Sequence, residues 1–151
     1  RALVLEQWLE LMRQRELVGP DLSERACVLC FSWSRLAVAD GATLRGRHKE
    51  ACLPFEGFLE ALCRVAALKV LPTDAEISKY GLVDAGWFLG TFRNEKPEAY
   101  ERLLRERHAP WGSSAPLAQP MSRCVVHLVA LMAHVARERG IGVLAKVHDE
   151  K

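Results

Sequence analysis

The sequence has almost no charge of one sign to spare. Its 151 residues carry 21 Lys and Arg against 19 Asp and Glu, a formal charge of +2, with no block of five or six like charges. A protein that holds nucleic acid through many phosphate contacts needs a basic surplus, so no nucleic acid is expected among its partners. Long apolar runs are also lacking. The longest, Cys124 to Ala136, is interrupted by His127 and His134 and falls short of the roughly 18 residues of a membrane span. Arg1 to Trp8 has neither the apolar length nor the small-residue cleavage site of a signal peptide. No membrane association is expected. The five cysteines, Cys27, Cys30, Cys52, Cys63 and Cys124, cannot all pair with one another. Most stand among apolar residues of expected helices, which fits free thiols in a reducing compartment such as the cytoplasm. Catalytic signatures are missing too. There is no G-x-S-x-G around Ser34, Ser113 or Ser122, and Gly41 to Gly46 lacks the order of a phosphate loop.

What is present is a half-apolar chain, 50% hydrophobic and 26% charged, long enough to bury a core without staples. We read it as one helical domain over 1–151; a start at Arg1 without an initiator Met is compatible with a fragment of a longer protein. Leu5, Trp8, Leu9, Leu11 and Met12 recur at helical spacing and predict a helix from Ala2 to about Glu16, stopped by Gly19-Pro20. Asp21 with Glu24 has capping-box spacing and opens a broadly apolar helix from Leu22 to about Val38. Asp40 to Leu53 reads as a loop, with Gly41 and Gly46 as flexible points. After Pro54, the residues Phe55, Phe58, Leu59, Leu62, Val65, Ala66 and Leu68 form the clearest amphipathic pattern in the chain. Thr73 and Glu76 offer a second capping box for a short helix, Asp74 to about Lys79. Gly81 to Asn94 is ambiguous, because Gly86 and Gly90 weaken its helical pattern. A charged helix, Glu98 to His108, follows Pro97. The Pro-rich residues 109–120 read as a linker or mobile loop. A last helix runs from Met121 to Arg139, and Ile141 to Val147 carries a weak strand pattern. The expected class is all-α, with about six helices.

Several residues could carry chemistry. Cys27 and Cys30 are spaced as half of a zinc site, and Cys124 with His127 would supply the other half if the two helices met. Buried structural thiols are the simpler reading. His127 and His134, seven apart, miss the spacing of a metal pair and read as buried, hydrogen-bonded histidines. Glu56 and Glu60 could be paired carboxylates of an enzyme, but with Arg64 one turn further they read as an exposed ion-paired face. Arg45, Arg47, His48 and Lys49 form a basic cluster that suits either an acidic partner or plain solvation. Trp111, in Pro110-Trp111-Gly112-Ser113-Ser114, is either a partner anchor or folded back on its own helices.

One stretch carries a family likeness. Cys30-Phe31-Ser32-Trp33-Ser34-Arg35, then a loop with Asp40, leads into Leu53-Pro54-Phe55-Glu56-Gly57-Phe58-Leu59-Glu60-Ala61-Leu62-Cys63-Arg64-Val65-Ala66. It resembles a helical module of ciliary and flagellar axonemal proteins, itself similar to an EF-hand that has lost its calcium loop. The likeness covers about a quarter of the chain. It implies a central EF-hand-like helix pair and a non-catalytic docking role in the axonemal cytoskeleton. The partners would be axonemal or other cytoskeletal proteins, tubulin-associated ones among them, held through an apolar groove by Phe55, Phe58 and Leu62, with Trp111, Arg45 and Arg47 as further contacts. No cofactor is expected. A calcium loop ending at Glu50 would put Ala39, Gly41, Thr43 and Leu44 at its first, third, fifth and sixth positions, leaving too few oxygen ligands and no turn glycine. A loop from Asp74 fails similarly, with Lys79 at the sixth position and Ala85 at the twelfth. Gly57 stands where the module has Glu; it weakens the helix but admits a close backbone. A zinc-dependent regulatory domain, or a small enzyme, is the alternative to the docking role.

Overall fold

The computed structural model describes residues 2–35 and 42–149, and the side chains of these other than 48, 49 and 141–149. The fold is all-α. Its elements are a two-residue strand β1 (Leu3–Val4), α1 (Leu5–Gln14), α2 (Glu24–Trp33), α3 (Leu44–Ala51), a second short strand β2 (Cys52–Leu53), α4 (Phe55–Leu68), α5 (Asp74–Lys79), α6 (Ala85–Glu95), α7 (Pro97–Arg107) and α8 (Met121–Asp149). The strands pair antiparallel, Leu3 opposite Leu53 and Val4 opposite Cys52, and so tie the start of the described chain to the start of α4. α8 is the spine, packing on α6 and α4, with α2 against α4 and α1 against α2.

The core follows from the apolar stripes. Trp8 and Met12 of α1, Phe31 of α2, Val65 of α4, Phe88 of α6 and Leu128 of α8 are all buried in one cluster. Trp8 keeps its polar edge satisfied by donating from Nε1 to the Cys27 carbonyl at 2.9 Å, as a buried indole must. Phe88 stacks on Phe92 with centroids 4.2 Å apart, and Tyr80 meets both edge-on.

Eight helices stand among the described residues where about six were expected, and each addition has a physical cause. The expected loop Asp40 to Leu53 contains α3, whose Thr43 hydroxyl accepts from Gly46 N; a side-chain cap at the entrance offsets the weak propensity of Gly46. The stretch read as a vestigial calcium loop is therefore helical from Leu44 to Ala51. Its first residues, Ala39, Asp40 and Gly41, lie outside the described residues, as do 36–38 of the expected second helix. The ambiguous Gly81 to Asn94 contains α6, capped by Asp84 Oδ1 accepting from Trp87 N. At its Gly86 α8 comes close: a Cβ there would lie 2.3 Å from His134 Cβ. Packing, not propensity, makes this segment a helix.

Two boundaries also move. Asp21 does not cap α2. The helix starts at Glu24, and the Ser23 hydroxyl accepts from Ala26 N at 3.1 Å, leaving Asp21 free for another role. α8 does not stop at Arg139, and the weak strand at Ile141 to Val147 is helix instead; Gly140 interrupts a propensity pattern, not the hydrogen-bond ladder. The expected Thr73–Glu76 capping box is present, with both reciprocal bonds formed.

Candidate functional site

The residues the sequence marked as partner contacts fall into separate places. Leu62 is only 8% exposed and belongs to the core cluster. Phe58 is half-buried and meets Trp8 edge-on at 6.1 Å. Both are spent on internal packing. Phe55 is 66% exposed, and Leu59, one turn on, is exposed beside it. Arg45 and Arg47 are exposed, but they sit on a helix rather than a loop, and two residues apart they point to different sides.

The apolar cleft lies elsewhere, between α2 and α4. On α2, Ala26, Leu29 and Trp33 form one stripe; on α4, Arg64, Ala67 and Leu68 form another. Trp33, Arg64, Ala67, Leu68 and Trp111 line a cavity of about 350 Å³. Beyond Trp111, a second of about 300 Å³ continues between Leu68, Ala26 and Leu29 to Arg25 and Pro20. Trp111 and Leu68 line both, so the two form one groove with Trp111 across it. Phe55 is not part of it: Arg64 lies half a turn round the helix from Phe55, since nine residues at 3.6 per turn make two and a half turns. Trp33 is 64% exposed. It was missed from sequence because a Trp inside a broadly apolar helix reads as core; the available signal was its polar flank, Ser32, Ser34 and Arg35.

Several polar contacts hold this groove in shape. Gly57 lets the start of α4 meet the end of α2, for a Cβ there would stand 2.7 Å from the Ser34 carbonyl oxygen. Lys69, at the end of α4, donates to Asp21 Oδ1 and to the Leu17 carbonyl, both at 2.9 Å, and Asp21 Oδ2 accepts from Val70 N at 3.0 Å. The pair is buried, with Lys69 7% and Asp21 1% exposed at the side chain. Residues 109–120 contain no helix or strand, but they are anchored at both ends. Arg107 bonds Glu76 through both terminal nitrogens and donates to the Leu71 carbonyl, while Gln119 Nε2 donates to the Pro72 carbonyl at 2.9 Å. Trp111 itself packs on the core cluster, so it is folded back and half-buried.

Among the described residues the cysteines and histidines do not assemble into the zinc set of the alternative reading. Among the described residues no three His, Cys, Asp or Glu side chains are grouped as a metal would need. Cys27 and Cys30 are buried in α2, and burial pushes their thiols up to about 11 and about 12, so both are protonated at neutral pH and poor as nucleophiles or ligands. Cys124 turns its thiol towards the Gln119 carbonyl. His127 is buried with Nε2 3.1 Å from Asp74 Oδ1, out of line for a hydrogen bond; burial lowers its pKa, and Asp74 opposes that only in part. His134 sits against Trp87, centroids 5.0 Å apart, and 3.3 Å from Glu138 Oε1. Glu60 pairs with Arg64 along α4, the ion-paired face read from sequence.

Comparison with protein-family models, with curated proteins and with solved structures finds no match to this chain. Among the described residues no helix is long and apolar enough to cross a membrane.

Proposed function

We propose that this chain is a non-catalytic docking module of the ciliary or flagellar axoneme, holding an apolar segment of a neighbouring cytoskeletal protein in the α2–α4 groove. The setting comes from the likeness of residues 30–66 to an axonemal helical module. The mode of action rests on one observation: Trp33 stands 64% exposed at the mouth of a cavity completed by Trp111 and Leu68. An exposed Trp beside an apolar cavity is the arrangement that partner hot spots take, and a groove between two helices suits a short helix or extended segment. Of the contacts expected from sequence, Trp111 lines this groove, and Phe55 lies on a separate face of α4.

Co-sedimentation of the purified chain with demembranated axonemes tests the reading. The wild-type chain is expected in the pellet. Trp33→Ser removes a hot spot worth on the order of 2 kcal/mol, about thirtyfold in Kd, while Phe55→Ser keeps binding. Trp33 is exposed, so its melting temperature should stay close to wild type. A folded Trp33→Ser variant that pellets like wild type would sink the groove, and a wild-type chain that stays in the supernatant would sink the axonemal setting.

A further inference from the structure

We infer that the segment accepted by the α2–α4 groove is acidic as well as apolar, with carboxylates over its Arg25 end and a Phe or Leu anchor between Trp33 and Trp111. This rests on the docking reading and adds the chemistry of the partner. The groove is apolar at one end and basic at the other. Arg25 lines the cavity beyond Trp111, and no carboxylate pairs with it among the described residues. Asp21 is the acid that lines the same cavity, and its two oxygens are taken by Lys69 and by Val70 N. The α2 N-terminus opens there as well, adding the positive end of a helix dipole, while the one acid of its first turn, Glu24, is drawn away to Arg13 at 2.7 Å.

At the Trp33 end the charges balance. Arg64 gives Nη2 to Glu60; Trp33, Ala67, Leu68 and Trp111 supply the remaining wall. A basic segment would meet the unpaired Arg25, and a neutral one would leave it facing water without gain.

The probes are three fluorescein-labelled peptides of one length and one Phe-Leu anchor, differing only in carrying Glu, Gln or Lys at the flanking positions; binding is read by anisotropy. The Glu peptide is expected to bind saturably, the Lys peptide to bind at least about tenfold more weakly, and Arg25→Glu to weaken the Glu peptide about tenfold while easing the Lys peptide, since an exposed charge pair is worth up to about fivefold in Kd and each of these changes reverses a charge, exchanging attraction for repulsion. Arg25 is exposed, so circular dichroism melts of Arg25→Glu should overlay wild type. Equal affinity for the Glu and Gln peptides, no response to Arg25→Glu, or no saturable binding of the Glu peptide would each overturn the acidic assignment. The docking reading is judged apart, by whether Trp33→Ser leaves the axonemal pellet.

Discussion

Asp21 and Lys69 show how much one residue pair can do that its sequence neighbourhood does not announce. Asp21 stands three residues before Glu24, the spacing of a helix cap, but Ser23 performs that task. What decides the matter is a partner 48 positions away. Local chemistry reveals which residues can cap; it does not reveal which will be needed in the core. Removing one member of a buried ion pair leaves the other charged, dry and unpaired, at a cost of about 3–5 kcal/mol. Asp21→Ala is therefore expected to lower the unfolding free energy read from a chemical melt by an amount of that order, and Asp21→Ala with Lys69→Met to recover part of the loss. A double variant no more stable than the single would show that the Val70 N–H, not Lys69, is the group that needs Asp21.

The helices that the sequence made hardest to see are those whose cause lies in their neighbours. α4 is visible because Phe55 to Leu68 repeat at helical spacing, and α5 because Thr73 and Glu76 close a box within four residues. α6 is different: Gly86 and Gly90 argue against it locally, and the reason for Gly86 is the His134 side chain of α8. Gly86→Ala would raise helix propensity by about 1 kcal/mol, yet its methyl would collide with His134 Cβ. Overpacking at a closed site costs about 1–3 kcal/mol, so the net expectation is a less stable protein with a lower melting temperature. Gly86→Ala melting above wild type would mean that α6 and α8 do not cross as closely as described. The groove shares this character. Its two stripes can be read off α2 and α4, but Trp33 and Arg64 become neighbours only once Gly57 brings the helices together.

For the molecule as a whole, acid should be the weak direction. Burial alone would raise Glu16 and Glu76, but hydrogen bonds from Arg93 and Arg139 to the first, and from Arg107 and Thr73 to the second, more than reverse it, so both lie below their ordinary range. The Arg123 hydrogen bond holds Asp74 low as well. These carboxylates take up protons less readily folded than unfolded, so their contribution is complete above about pH 4.5 and is lost below it. His127 acts in the same direction from a higher starting point. Burial lowers its pKa in the folded state, so the unfolded chain protonates first as pH falls through about 6.5. Melting temperatures taken from pH 8 to pH 3 should be flat at first, decline gently below about 6.5 and fall steeply below about 4.5. A maximum near pH 5 would contradict both assignments. The all-α class was open to view in the periodicity of Phe55 to Leu68 and Met121 to Arg139. The ties between distant elements, such as Glu16 bridging α6 and α8, were not, because no local pattern records who stands opposite.

The distribution of the thiols has a practical side. Cys27, Cys30, Cys52 and Cys124 are buried and Cys63 is only half-buried, and Cys63 precedes Arg64 on α4. A maleimide dye offered to the folded protein in limiting amount would enter at Cys63 first, placing a reporter next to the groove without any engineered residue.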